Sequence, residues 1–94
     1  MNNDVKFYHW SDIDLGGFRI FTRLKKNVIP ELQPWKMDVE TLSENKDNTS
    51  PIKNKSYLNA LEKLLNDQDY TVFYPVIHKM LEKKVKLEQE SELF

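Results

Sequence analysis

Ninety-four residues make one domain (1–94) at the small end of what folds alone. Charged residues at 31%, hydrophobic ones at 39% and a net charge of −1 describe a globular chain, and exclude both a disordered polyelectrolyte and bulk basic attraction to nucleic acid. With no cysteine there are no disulfides or thiolate metal sites, no apolar run nears the roughly 20 residues of a membrane span, and Met1–Lys6 lacks the apolar core of a signal peptide, so the expected compartment is the cytoplasm.

Val5 to Trp10 (V-K-F-Y-H-W) is β-branched and aromatic and reads as a strand. Its residues are apolar on both faces, as in a parallel strand covered on both sides. Ser11-Asp12-Ile13-Asp14 follows, then Gly16-Gly17, the chain's two glycines, where a strand must turn into a helix. From Gly17 to Val28 the spacing is helical: Ile20, Phe21, Leu24 and Val28 make one apolar stripe, and Arg19, Arg23 and Lys26 make a basic row. Asn27 and Pro30 close it.

Leu32 to Met37 reads as a second strand, beginning after Pro34 because proline cannot donate to a ladder. Strand, helix and strand form a βαβ unit with parallel strands. Asp38 caps a short helix over Val39–Leu42. The nearly all-polar segment 43–55 is a loop, after which Ser56 caps a helix with Tyr57, Leu58, Leu61, Leu64 and Leu65 on its apolar face. Asn66–Asp69 breaks that helix. A last one carries Phe73, Val76, Ile77, Met80 and Leu81, with Pro75 in its first turn. The tail Lys86-Leu87-Glu88-Gln89-Glu90 reads as solvated. The fold class is therefore α/β: a small parallel sheet followed by C-terminal helices. Two strands make a poor sheet with a free edge, so a second copy or further strands of a larger domain must complete it.

Asp12 and Asp14, two apart in an extended segment, point to one side. They stand at the carboxyl end of a parallel strand, where ligands of such sheets bind. Close carboxylates repel unless one is protonated or a cation lies between them. Mg²⁺ takes oxygen ligands and keeps waters, so two carboxylates suffice for it. The same residues also suit plain capping, Asp12 of the turn and Asp14 of the helix.

The run Tyr8-His9-Trp10-Ser11-Asp12-Ile13-Asp14-Leu15-Gly16-Gly17-Phe18-Arg19-Ile20-Phe21, with Met37-Asp38-Val39-Glu40-Thr41-Leu42 and Leu87-Glu88-Gln89-Glu90, resembles the C-terminal domain of the JetD family, the nuclease subunit of bacterial Wadjet anti-plasmid systems. All three landmarks occur in order over nearly the whole chain. The resemblance implies a Toprim-like fold, here in part, with Asp12 and Asp14 as ligands of Mg²⁺ or Mn²⁺. It also implies cleavage of double-stranded DNA in a complex with SMC-like subunits. The family's third acidic ligand is a glutamate upstream of the aspartate strand, and no glutamate precedes Glu31 here. Two readings follow: part of a metal-dependent DNA nuclease, or a non-catalytic remnant or interaction module that keeps the fold and self-associates through its sheet edge.

Further candidates are Asp38, as an outer metal ligand or a helix cap, and Glu88 and Glu90, which reach the site if the tail folds back. Arg19, Arg23 and Lys26 are candidate phosphate contacts, each adding salt-dependent affinity. His9 reads as a packing residue. A phosphatase of the haloacid-dehalogenase type also uses a strand-end Asp-x-Asp, but it wants Thr or Val where Gly16 stands.

Overall fold

The computed structural model describes residues 6–89. Helix dominates a mixed α/β chain, and the short strands pair two by two. Strands β1 (Tyr8–His9) and β2 (Gln33–Pro34) are parallel, Tyr8 opposite Gln33 and His9 opposite Pro34. The Gln33 and Trp35 amides donate to the Phe7 and His9 carbonyls, each at 2.9 Å. Helix α1 (Leu15–Asn27) crosses between them, completing the βαβ unit the sequence implies.

Two features of that unit differ from the sequence reading. The second strand ends at Pro34 rather than starting after it. Only alternate residues of a strand donate to a given neighbour, and Pro34 takes the position whose nitrogen faces away from β1. Nor is β1 covered on both faces, since Phe7 is 43% and Tyr8 54% exposed. Val5, placed in this strand by its side chain type, lies outside the described residues, as does Glu90.

Helix α1 starts at Leu15, two residues ahead of Gly17, because Asp14 caps it: the Asp14 carboxylate accepts from the Gly17 amide at 2.8 Å. The apolar stripe is rotated accordingly. Leu15, Phe18, Phe21 and Thr22 face inward, whereas Ile20 and Val28 lie in solvent. The two phenylalanines set this orientation by packing on Phe73, with ring centroids 4.5 Å (Phe18) and 5.1 Å (Phe21) away.

Asp38 caps α2 (Val39–Glu44) as expected, accepting from the Thr41 amide at 2.9 Å. The segment 43–55 is not a loop throughout. After a 3₁₀ turn at Lys46–Asn48 it forms β3 (Thr49–Pro51), and α3 (Lys55–Leu64) begins within it. The cap of α3 is Asn54, whose side chain accepts from the Ser56 and Tyr57 amides; Ser56 is inside the helix. A 3₁₀ stretch, Gln68–Phe73, leads into α4 (Tyr74–Lys83), where Pro75 does sit in the first turn. Leu61, Phe73, Val76, Ile77 and Met80 close the core between these helices and α1.

As far as residue 89 the tail folds back onto the domain, although Glu88 stays exposed. Lys84 takes a left-handed conformation (φ 55°) that ends α4, and the chain returns as β4 (Val85–Leu87), antiparallel to β3. Its other side meets Ile13, which exchanges two backbone hydrogen bonds with Leu87, at 2.8 and 3.2 Å. Ile13 and Leu87 are both buried. This fold-back carries the C-terminal segment to the aspartate loop.

Candidate functional site

The site starts from Ile13. Its backbone is locked to Leu87 and its side chain is fully buried, so in this extended stretch the flanking Asp12 and Asp14 project together on the other side. Each is only partly buried. Gly17 lets the turn close: a Cβ there would overlap the Asp12 carbonyl oxygen and come within 2.8 Å of the Ser11 hydroxyl. Its φ is ordinary, so close approach, not a left-handed backbone, demands glycine.

One oxygen of each carboxylate is engaged by a backbone amide. Asp12 Oδ1 accepts from the Gln89 amide at 2.7 Å, and Asp14 Oδ1 from Gly17. Among the described residues the Oδ2 atoms take no hydrogen bond. Burial raises the Asp14 pKa above the ordinary carboxylate value; the Gly17 amide opposes this, while the nearby charges of Asp12 and Glu88 push the same way and Lys86 pulls back. Asp14 thus sits in a field with excess negative charge.

The surroundings come from α3 and β4. The Tyr57 hydroxyl accepts from the Leu15 amide at 2.9 Å, satisfying one of the orphan donors of the α1 N-terminus. Burial raises the Tyr57 pKa, and the charges of Asp14 and Asp12 add to it. Lys86 Nζ lies 5.1 Å from the Tyr57 ring centroid. Tyr57, Lys86 and Gln89 were missed from the sequence. The signal was there for β4: Val85, Lys86, Leu87 and Glu88 alternate apolar and charged with period two.

Of the residues the sequence singles out, Asp12 and Asp14 come together, and Glu88 lies near enough for its charge to act on Asp14. Asp38 caps α2, and Arg19 borders the site closely enough for its charge to act on Tyr57. Arg23 is exposed, and Lys26 is tied to Asp69 at 2.9 Å on the far part of α1. Glu90 is outside the described residues. Among those described, no three acidic or histidine side chains gather as a metal cluster. The donor set still fits a hard cation: two carboxylates with unshared Oδ2 atoms and a surplus of negative charge that a cation would relieve. No described helix is long and apolar enough to cross a membrane.

Fold and site together define a small α/β domain with a carboxylate pair at the carboxyl end of a parallel strand. The model of the family "Wadjet protein JetD, C-terminal" matches residues 1–92, and the chain belongs to that family. It is 33% identical over 89 residues to the Wadjet protein JetD of Bacillus cereus (strain Q1), a match covering 95% of this chain and 22% of that protein. The chain thus spans about a fifth of its relative's length. No solved structure matches it.

Proposed function

We propose that this chain is the carboxylate-bearing C-terminal part of a Toprim-like, metal-dependent DNA nuclease domain in a Wadjet-type plasmid defence system. Its substrate is double-stranded DNA, and it works beside SMC-like subunits. The observation that carries this reading is the pair itself: Asp12 and Asp14 flank a buried, backbone-locked Ile13 and share a half-buried, negatively charged space. Family membership supports the assignment.

Asp12 Oδ2 and Asp14 Oδ2, which accept no hydrogen bond among the described residues, would be the oxygens that hold Mg²⁺ or Mn²⁺. When bound, the ion supplies charge neutralisation at the phosphodiester and an acidified water. Lys86 places positive charge beside Asp14, and Arg19 places it beside Tyr57, where a phosphate approaching the pair is oriented. Because Tyr57 accepts from Leu15, its own O–H proton is free to donate toward that phosphate. A third acidic ligand comes from outside this segment in the intact enzyme.

A second reading, a non-catalytic remnant or interaction module, is favoured by the lack of a third ligand among the described residues. The exposed Phe7, Tyr8 and Trp35 along the parallel sheet also favour it, as an apolar edge that another strand, of a second copy or a larger domain, covers. Plasmid nicking with Mg²⁺ or Mn²⁺ separates the two. The nuclease reading expects cation-dependent nicking that Asp12→Ala abolishes; nicking that is absent, or equal in wild type and variant, leaves the remnant.

A further inference from the structure

Gln89 makes hydrogen bonds to three groups far from it in sequence, two on the neighbouring residues Ser11 and Asp12 and one on Lys36. Its backbone amide donates to Asp12 Oδ1 at 2.7 Å. Its side-chain amide donates to the Ser11 carbonyl at 3.0 Å and to the Lys36 carbonyl at 2.6 Å. Ser11 follows β1 and Lys36 follows β2, so one carboxamide ties together the chain segments leaving both parallel strands. A carboxamide has two N–H hydrogens, and here each has its own acceptor.

The Lys36 end of this tie is unusual. Lys36 has φ 57°, a left-handed conformation that a side chain with Cβ rarely adopts, and its ammonium folds back to 4.7 Å from the Trp35 ring centroid. Strained backbone of this kind persists where surrounding bonds hold it. The 2.6 Å bond from Gln89 is such a hold. At the other end, the Leu87–Ile13 pairing fixes where β4 ends and so where the Gln89 amide meets Asp12.

We propose that Gln89 is the positioning residue of the carboxylate pair: its side chain fastens the tail to both strand ends, so that its backbone N–H holds Asp12 Oδ1 and leaves Oδ2 turned to the cation. The inference rests on the proposed cation site, and its test reads the two separately. A partner that orients a metal ligand without touching the metal typically changes affinity by 10–100-fold when removed.

The experiment uses the whole 94-residue chain, wild type and Gln89→Met, which keeps length and packing but donates nothing from its side chain. The first readout is the ¹⁵N–¹H signal of the residue 89 amide without metal. Positioning expects a strongly downfield signal in wild type, from the short bond to a carboxylate, that moves upfield in Gln89→Met. The second is Mn²⁺ affinity by titration calorimetry, expected to fall about tenfold in Gln89→Met. An unchanged amide signal and unchanged affinity overturn the proposal. If wild type takes up no Mn²⁺ the cation reading falls, and the amide signal alone then decides whether Gln89 holds Asp12. Should Gln89→Met not fold, exchange of the Gln89 side-chain amide protons in wild type replaces it: slow exchange supports the tie, and exchange at the free-amide rate refutes it.

Discussion

Asp14 has two roles that single substitutions can separate. Its Oδ1 caps α1, and its charge lies half-buried beside Asp12 and Glu88. Asp14→Asn keeps the capping oxygen, since Asn and Asp cap about equally well, and removes the charge. Asp14→Ala removes both, and loss of a cap costs about 1 kcal/mol. In a domain of this size about 1 kcal/mol moves the melting midpoint by about 4–8 °C. In chelator at pH 7, Asp14→Asn should therefore melt at or above wild type, and Asp14→Ala about 4–8 °C below Asp14→Asn. The pH dependence follows from the raised pKa. Stability is fully present below the ordinary value of 3.8 and is lost as pH rises through the higher folded value. The advantage of Asp14→Asn over wild type should accordingly vanish near pH 3.5 and be complete at neutral pH. On the proposed cation site, Mn²⁺ at about 100 times its dissociation constant should stabilise the wild type by about 2.7 kcal/mol and reverse the order. Melting followed by circular dichroism at 222 nm, with chelator and with Mn²⁺, reads all of this. If metal-free Asp14→Asn melts several degrees below wild type, the repulsion argument is wrong; if Mn²⁺ raises both proteins equally, the pair is not the binding site.

Other expectations are more local. Asn54→Ala should cost about 1 kcal/mol in urea unfolding because it uncaps α3, whereas Ser56→Ala, at an exposed position inside the helix, should stay within about 0.5 kcal/mol. Gly17→Ala should cost about 1–3 kcal/mol, the range of an overpacked site, since its Cβ meets the Asp12 carbonyl; Gly16→Ala, with 3.5 Å to its nearest neighbour, should be tolerated. Burial lowers the His9 pKa below 6.5, and its Nε2 is buried without a partner among the described residues. Stability from the neutral ring is thus present above pH 6.5 and lost as pH falls through the folded value. The urea midpoint should drop from pH 7.5 to pH 5.5 in wild type and drop less in His9→Phe.

What was legible in the sequence followed from local chemistry. The βαβ unit, the Asp38 cap, the break near Asn66 and the place of Pro75 were all set by residues within a few positions of the feature. What was not legible depended on partners far along the chain. Thr49–Pro51 is polar and proline-ended, and it is a strand because Val85–Leu87 lies opposite. Of the α1 stripe Phe21 and Leu24 do face the core, while Ile20 and Val28 are exposed because Phe18 and Phe21 pack on Phe73, some fifty residues away. The aspartates themselves were plain. Tyr57, Lys86 and Gln89 were not, since nothing near them in sequence places them beside Asp12 and Asp14.

That dependence bears on the chemistry. A capping role accounts for one oxygen of Asp14, and a tail contact accounts for one of Asp12. Neither needs the second carboxylate oxygen or a charge: asparagine would cap α1 as well and would relieve the repulsion among Asp12, Asp14 and Glu88. Burying charge beside like charge is unfavourable, and such arrangements concentrate where charge is used. The structure further devotes a buried isoleucine, an obligatory glycine and a strand pairing to holding the two side chains in place. The glycine and the isoleucine serve the turn and the core whatever the charge, so the unrelieved negative charge is the one feature that only the proposed cation would account for.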